Sequence, residues 1–322
     1  MGVRYLVTGA TGALGSAVVE RLLESDPDDQ IRVFVRSKRR FRERFPTPRV
    51  EIVRGNVLIP LNVRRAVRNV DVVFHCINFP LTNYYHTLES ARLLVAAIGD
   101  ADTHVVYPGN TWVFAVRESQ TDEPPISPDT PIDPPSRVAR IKAEAEETLF
   151  RAPFPATVVN LPDFYGPGVT NDLVRPLFER PIADKNVLFP APVDVPHEFV
   201  FIEDAARALI SVAASFDEES TQRVENDRRF TVGTEPTTVN SFTQKVYDMV
   251  GTNGRVRGLP TWMLRGGALF SERIEVLSEI LHAFTHDTTM NGTAIRERVG
   301  FEPQIDYETG IDRTIAWFEG AG

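Results

Sequence analysis

Thr8-Gly9-Ala10-Thr11-Gly12-Ala13-Leu14-Gly15 is the stretch on which the reading of this chain turns. It follows the apolar run Val3–Val7 and leads into Gly15–Glu24, where Val18, Val19, Leu22 and Leu23 recur at helical spacing. The glycines at 9, 12 and 15 therefore sit where a strand turns into a helix. Gly9 permits the tight turn, Gly12 lets the backbone approach a pyrophosphate, and Gly15 allows the helix to pack closely on the strand. The free N–H groups of such a helix start carry partial positive charge and face the phosphates. Gly9, Thr11, Gly12, Ala13, Leu14 and Gly15 are thus expected to hold a dinucleotide; the competing reading is a plain structural turn.

Further along, Ile31–Val35, Val50–Val53, Val70–Phe74, His104–Tyr107 and Thr157–Leu161 read as strands, with helices at Thr87–Ile98 and Arg137–Phe150. Strand–helix alternation predicts an α/β fold, a Rossmann-type doubly wound parallel sheet. Glu123–Pro135 is proline-rich and reads as a loop. Past Gly168 the alternation fades, and Pro176–Pro196 reads as irregular. Strands return at Phe199–Ile202 and Phe230–Val232, followed by helices at Ser241–Val250 and Thr261–Phe284. The expected division is a dinucleotide-binding domain over 1–168, rejoined by 197–235 and part of the C-terminus, with 169–196 and 236–322 forming mainly a smaller substrate lobe.

The end of the second strand bears on which dinucleotide binds. An acidic residue there would bind the ribose 2′-OH and repel a 2′-phosphate. This chain has Val35-Arg36-Ser37-Lys38-Arg39-Arg40 instead. Arg36 can clamp a phosphate and Ser37 can add a hydroxyl, so NADP(H) is preferred over NAD(H). Arg39 and Arg40 read as a solvated charge run.

The bulk properties narrow the function classes. The chain has 322 residues, with 42% apolar and 25% charged, ordinary for a globular protein. Its net charge of −9 argues against a broad attraction to nucleic acid or to anionic membranes. Cys76 is the single cysteine, which excludes an intrachain disulfide and fits a reducing cytoplasm. The start lacks a signal-peptide core, and no apolar run reaches membrane-spanning length. The histidines lack ligand spacing, so no metal is expected. The expectation is a soluble cytoplasmic protein acting on a small molecule.

With these residues in view, the chain resembles the extended short-chain dehydrogenase/reductases, the NAD-dependent epimerase/dehydratase-like group. The resemblance adds Arg54-Gly55-Asn56-Val57 near the adenine and Val72-Val73-Phe74-His75-Cys76 beside the cofactor. It also covers Phe164-Tyr165-Gly166-Pro167-Gly168, Phe199–Ala206, Val299-Gly300-Phe301-Glu302-Pro303 and Thr314-Ile315-Ala316-Trp317. It implies that Asn56, Val57, His75 and Cys76 lie at the cofactor and that helices Thr87–Ile98 and Arg137–Phe150 form a homodimer interface. Leu88, Leu93, Leu94, Val95, Ile141, Ala145 and Leu149 suit that interface, and equally suit packing on the sheet.

The family's catalytic set is a Ser or Thr after the fifth strand, then Tyr-x-x-x-Lys on the next helix. Lys142 keeps the lysine position, but Val138 occupies the tyrosine position and Asn110 that of the Ser/Thr. Valine cannot move a proton. Together with Pro108-Gly109-Asn110 and Pro162–Pro167, this resembles an atypical branch that lacks the tyrosine. Asp163 stands where sugar-nucleotide epimerases carry Asn, and its charge opposes a diphosphate.

Candidates for the missing chemistry are Lys142 as ribose anchor or acid, Asn110 as a hydrogen-bond donor to a carbonyl or as a strand-end cap, and Asp163 as a base or turn former. Tyr84, with Tyr85 and His86, is either a proton donor or a packing anchor. Tyr107, Tyr165 and His197 read as structural. The functional expectation is an NADP(H)-dependent oxidoreductase or epimerase-type enzyme on a small carbonyl or hydroxyl compound. A non-catalytic NADP(H) sensor that regulates a partner, and a lyase or cyclase on the same fold, stand as alternatives.

Overall fold

A computed structural model describes residues 2–115, 125–216, 228–260, 275 and 278–320. Its main sheet comprises β1 (Arg4–Thr8), β2 (Gln30–Val35), β3 (Val50–Arg54), β4 (Val72–His75), β5 (His104–Asn110), β6 (Ala156–Leu161) and β10 (Arg229–Thr231). The order across it is β10-β6-β5-β4-β1-β2-β3, and every pairing is parallel. The expected doubly wound α/β fold is therefore present. Chain order reverses between β1 and β4, and in open sheets of this kind ligands bind outside the carboxyl ends of the strands at such a point.

Both faces of the sheet are covered, which explains why its strands are continuously apolar rather than alternating. Leu6, Val73, Val105 and Val158 pack with α3 (Pro60–Ala66), α4 (His86–Ile98) and α5 (Arg137–Phe150) on one side. Val7, Phe74, Val106 and Val159 pack on the other side with α1 (Ala13–Glu24) and α7 (Ile202–Ala214).

Arg39 and Arg40 are exposed, as expected of a solvated charge run, and they lie on a short helix, α2 (Lys38–Arg44), started by Ser37, whose hydroxyl accepts the Arg40 N–H at 3.3 Å. Two local expectations need correction. Pro176–Pro196 is not irregular throughout: α6 (Pro176–Ile182) places a proline in its first turn, and β8 (Val187–Phe189) pairs with β11 (Val256–Gly258). Ile202 starts α7 instead of ending a strand; β9 is Phe199–Phe201 and pairs with β7 (Asp163–Tyr165). Most of the helix expected over Thr261–Phe284 lies outside the described residues, as do Glu123 and Pro124 of the proline-rich loop.

The later elements gather around Tyr165, whose fully buried ring meets Phe178, Phe201, Phe242 and Tyr307. These rings tie α6, β9, α8 (Val239–Val250) and the last helix into the same apolar core as one face of the sheet. That last helix, α11, spans Tyr307–Gly320; α9 (His282–Thr285) and α10 (Thr293–Val299) precede it. No described helix is long and apolar enough to cross a membrane.

Candidate functional site

The glycine turn adopts the conformation its sequence demands. Gly9 has φ +68°, a region costly for other residues, and a Cβ there would strike the Cys76 carbonyl at the end of β4. A Cβ on Gly15 would strike the Gly9 carbonyl, so α1 and the strand end pack backbone to backbone. Gly12 is different: it is exposed, and a Cβ there would meet only the Gly9 carbonyl, at 3.3 Å. Gly12 caps α1 without a side-chain hydrogen bond, and the first turn holds no acidic residue. The helix thus begins with free N–H groups at the carboxyl end of β1, an arrangement suited to phosphate. Thr11 is exposed beside it, Ala13 is half-buried, and Leu14 is buried in the core.

At the end of β2, Arg36 is exposed and has no hydrogen bond or ion pair among the described residues, so its guanidinium is available to a ligand. Ser37 is engaged as the α2 cap. Beyond β3, Val57 is buried, and Asn56 folds its side chain onto the Leu58 N–H at 3.1 Å.

His75 is brought to the switch point, but its ring lies within the core. One ring nitrogen meets Thr8 Oγ1 at 3.1 Å and the other Ser90 Oγ at 3.3 Å. Burial, with Lys142 nearby, pulls its pKa down to about 4, so the ring is neutral. Burial pushes the Cys76 thiol up to about 12, and Lys142 only partly offsets this. That thiol is not a nucleophile near neutral pH.

On α5, Val138, Lys142 and Glu146 succeed one another at one-turn spacing, and all three are buried. Lys142 Nζ donates to the Pro108 carbonyl at 2.8 Å and sits 4.2 Å over the Tyr107 ring. Burial lowers its pKa to about 8 against the opposing pull of Glu146 and Cys76. Glu146 pairs with Arg229 at 2.8 Å. Arg229 also donates to Asn160 Oδ1 at 2.8 Å, and Asn160 Nδ2 holds the Asn110 carbonyl at 2.8 Å. Sequence reasoning missed this chain of contacts, because Glu146 and Arg229 are far apart in sequence and each reads as an ordinary surface charge.

Asn110 ends β5, and its Oδ1 accepts the Trp112 N–H at 3.2 Å. The side-chain carbonyl is thereby committed to capping, and its amide remains for a ligand. Tyr84 is buried, with its ring 6.0 Å from that of Trp112. Burial and the neighbouring Glu146 raise its pKa, which disfavours loss of its proton. Tyr85 is exposed, and His86 pairs with Glu89 at 2.7 Å. Asp163 opens β7 just past the edge of the sheet, with Oδ2 3.1 Å from His197 Nε2. Among the described residues no group of three or more His, Cys, Asp or Glu could hold a metal ion.

Comparison with known proteins gives a consistent picture. The model of the NAD dependent epimerase/dehydratase family matches residues 5–226. Averufin oxidase A of Aspergillus flavus is 35% identical over 105 residues, covering 30% of this chain and 37% of the oxidase. The chain spans only 27–37% of the length of the averufin oxidases it matches. Among solved structures, dTDP-glucose 4,6-dehydratase of Bacillus anthracis, in complex with NAD, superposes with a TM-score of 0.79 at 16% identity. That superposition covers 99% of this chain and 97% of the dehydratase. UDP-glucuronic acid 4-epimerase of Bacillus cereus, in complex with UDP-glucuronic acid and NAD, gives 0.78 at 14% identity over 99% and 100% of the two chains. At such identities the likeness is one of fold.

Proposed function

Since the chain belongs to the NAD dependent epimerase/dehydratase family, we propose that it binds NADP(H) in preference to NAD(H) and works as an oxidoreductase or epimerase-type enzyme. The observation that carries this reading is the uncapped, glycine-lined start of α1 with the unengaged Arg36 at the end of the neighbouring strand. The α1 turn would hold the pyrophosphate, Arg36 the 2′-phosphate, and Lys142 the nicotinamide ribose, since Pro108 takes only one of its protons. Ser37, Asn56, Val57, His75 and Cys76 would border the cofactor, the last two through their backbone. The dinucleotide, when bound, supplies or takes up hydride. The substrate we propose is a small uncharged or weakly polar carbonyl or hydroxyl compound, because Asp163, engaged with His197, offers no amide donor to a diphosphate at the sheet edge.

Titration with NADPH and NADH, followed by nicotinamide fluorescence, tests this directly. NADPH is expected to bind more tightly, with an enhanced, blue-shifted signal. Arg36→Ala should weaken NADPH about tenfold or more, the equivalent of one charge-assisted contact, and leave NADH within twofold. Equal affinity of the wild type for both dinucleotides would overturn the preference. Repeating the titration across pH examines Lys142. Because its pKa is lowered to about 8, its positive charge is lost as pH rises through that value, and NADPH affinity should fall there. In Lys142→Met that dependence should be absent.

A second reading, an NADP(H) sensor without catalysis, is favoured by Val138 at the tyrosine position. Lys142→Met and Asn110→Ala separate the two: an enzyme loses turnover, whereas a sensor loses only cofactor affinity.

We also propose a homodimer through α4 and α5. Leu94, Ala145 and Leu149 are buried within the single chain, which leaves the half-buried Leu88, Leu93, Val95 and Ile141 for a partner copy. Light scattering should give twice the 36.0 kDa chain mass, and Leu88→Glu with Ile141→Glu should give the monomer. A monomeric wild type would remove the proposal.

A further inference from the structure

We propose that Asp163 and His197 form the acid–base pair of this site, giving and taking the proton for which Val138 provides no hydroxyl. The proposal rests on the enzyme reading above, and it assigns His197 a part that its position in the sequence does not suggest.

The geometry supports the pairing. Leu161 at the end of β6 registers with Asn110 at the end of β5, and Asp163 follows two residues later. Its carboxylate therefore lies past the same sheet edge as Asn110, one strand across. The Asp163 side chain is 25% exposed, whereas that of His197 is 3% exposed. One partner is reached by solvent and the other is sealed behind it. The imidazole cannot turn away, because its ring stacks on Phe284 at 4.6 Å and meets Phe199 edge-on at 4.8 Å.

The hydrogen-bond network also places the protons. Thr288 Oγ1 donates to the Ala283 carbonyl at 3.3 Å, so its oxygen is left to accept Nδ1–H of His197 at 3.2 Å. With Nδ1–H committed, a bare Nε2 would set its lone pair against that of Asp163 Oδ2 at 3.1 Å. A proton between those two atoms closes the contact. Other charged groups near the pair are Glu198, next in the chain, and Asp287, next to Thr288; no Lys or Arg among the described residues bonds to Asp163.

The step balances simply. In the reducing direction, the carbonyl carbon would accept the hydride that a bound dinucleotide supplies, and the π pair would move to oxygen. That oxygen then forms its O–H bond with the proton leaving Asp163, and water in the cleft replaces the proton on the pair. In the oxidising direction the pair, having first lost that proton to solvent, would take the alcohol proton onto Asp163 and on to the freed Nε2, while the hydride on the alcohol carbon would pass to a bound oxidised dinucleotide. Asp163 is the catalytic residue, and His197 positions and supplies it.

The test needs no substrate. In full-length protein labelled with ¹⁵N-histidine, the His197 ring signals are those missing from His197→Gln. The Nε2 proton should exchange rapidly with water in the wild type, because the carboxylate carries it to the cleft. In Asp163→Asn, whose amide cannot relay a proton, exchange should slow at least tenfold; Asp163→Ser gives the same readout if the amide variant folds poorly. Slow exchange in the wild type, unchanged by either substitution, would overturn the pair as a proton carrier and leave it a structural contact. NADPH and NADH binding is measured on the same wild-type sample. A wild type that exchanges rapidly yet binds neither dinucleotide would overturn the cofactor reading and not the pair.

Discussion

Replacing Glu198 with Gln is expected to stabilise the protein strongly above pH 8 and hardly at all near pH 5. The carboxyl is 2% exposed and sits where β9 begins, with Oε2 accepting the Met290 N–H at 3.2 Å. Burial raises its pKa from about 4.5 to about 8; backbone hydrogen bonds from Met290 and Thr234 offset part of this, and Asp287 adds to it. A raised folded-state pKa means that the native state holds its proton more tightly than the unfolded chain does. Stability is therefore full below the ordinary carboxyl value and declines as pH rises towards 8. A shift of this size corresponds to roughly 5 kcal/mol once the group must ionise. Gln keeps an acceptor for Met290 and never ionises. Urea midpoints across pH 5–9 read this directly: a wild-type curve parallel to that of the variant would show that Glu198 does not titrate in this way.

Arg229→Met is expected to cost about 3–5 kcal/mol, the usual consequence of stripping one partner from a buried ion pair. Glu146 is 1% exposed, and Oε1 already lacks a hydrogen-bond partner, so the carboxylate would lose its compensating charge in a site without water access. Asn160 would lose its hold at the same time, and with it the contact that fixes the Asn110 carbonyl. The double variant Arg229→Met with Glu146→Gln should recover most of the loss, because the isolated charge is then gone. If the double variant is no more stable than Arg229→Met alone, the arginine contributes through packing on Phe114 and Phe150 and not through charge. Thermal or urea unfolding decides between these.

The sheet and the glycine turn were legible because strands buried on both faces leave unbroken apolar runs, and because few sequences other than Gly9–Gly15 can make that turn. The short helices α2 and α6 were not. Arg39 and Arg40 hide the helix start at Ser37, and the prolines that read as breakers in Pro176–Pro196 include one at the first turn of α6, where proline is tolerated. Within the site, single positions could be singled out locally, Asp163 from the turn that follows β6 and Lys142 from its spacing on α5. Contacts between distant segments were not: His197 with Asp163 and Arg229 with Glu146 join residues that no local periodicity connects.

The position of β10 has a consequence for synthesis on the ribosome. The outermost strand of the main sheet, next to β6, comes from residues 229–231, long after β6 itself. A nascent chain that has emerged only to the end of α7 can lay down six strands, but β6 then presents an open row of backbone donors and acceptors, with Glu146 still lacking its arginine. Pairing with another emerging copy is the hazard of such an edge. The arrival of Arg229 ends it in one event, closing the row with a strand and neutralising the charge beneath it.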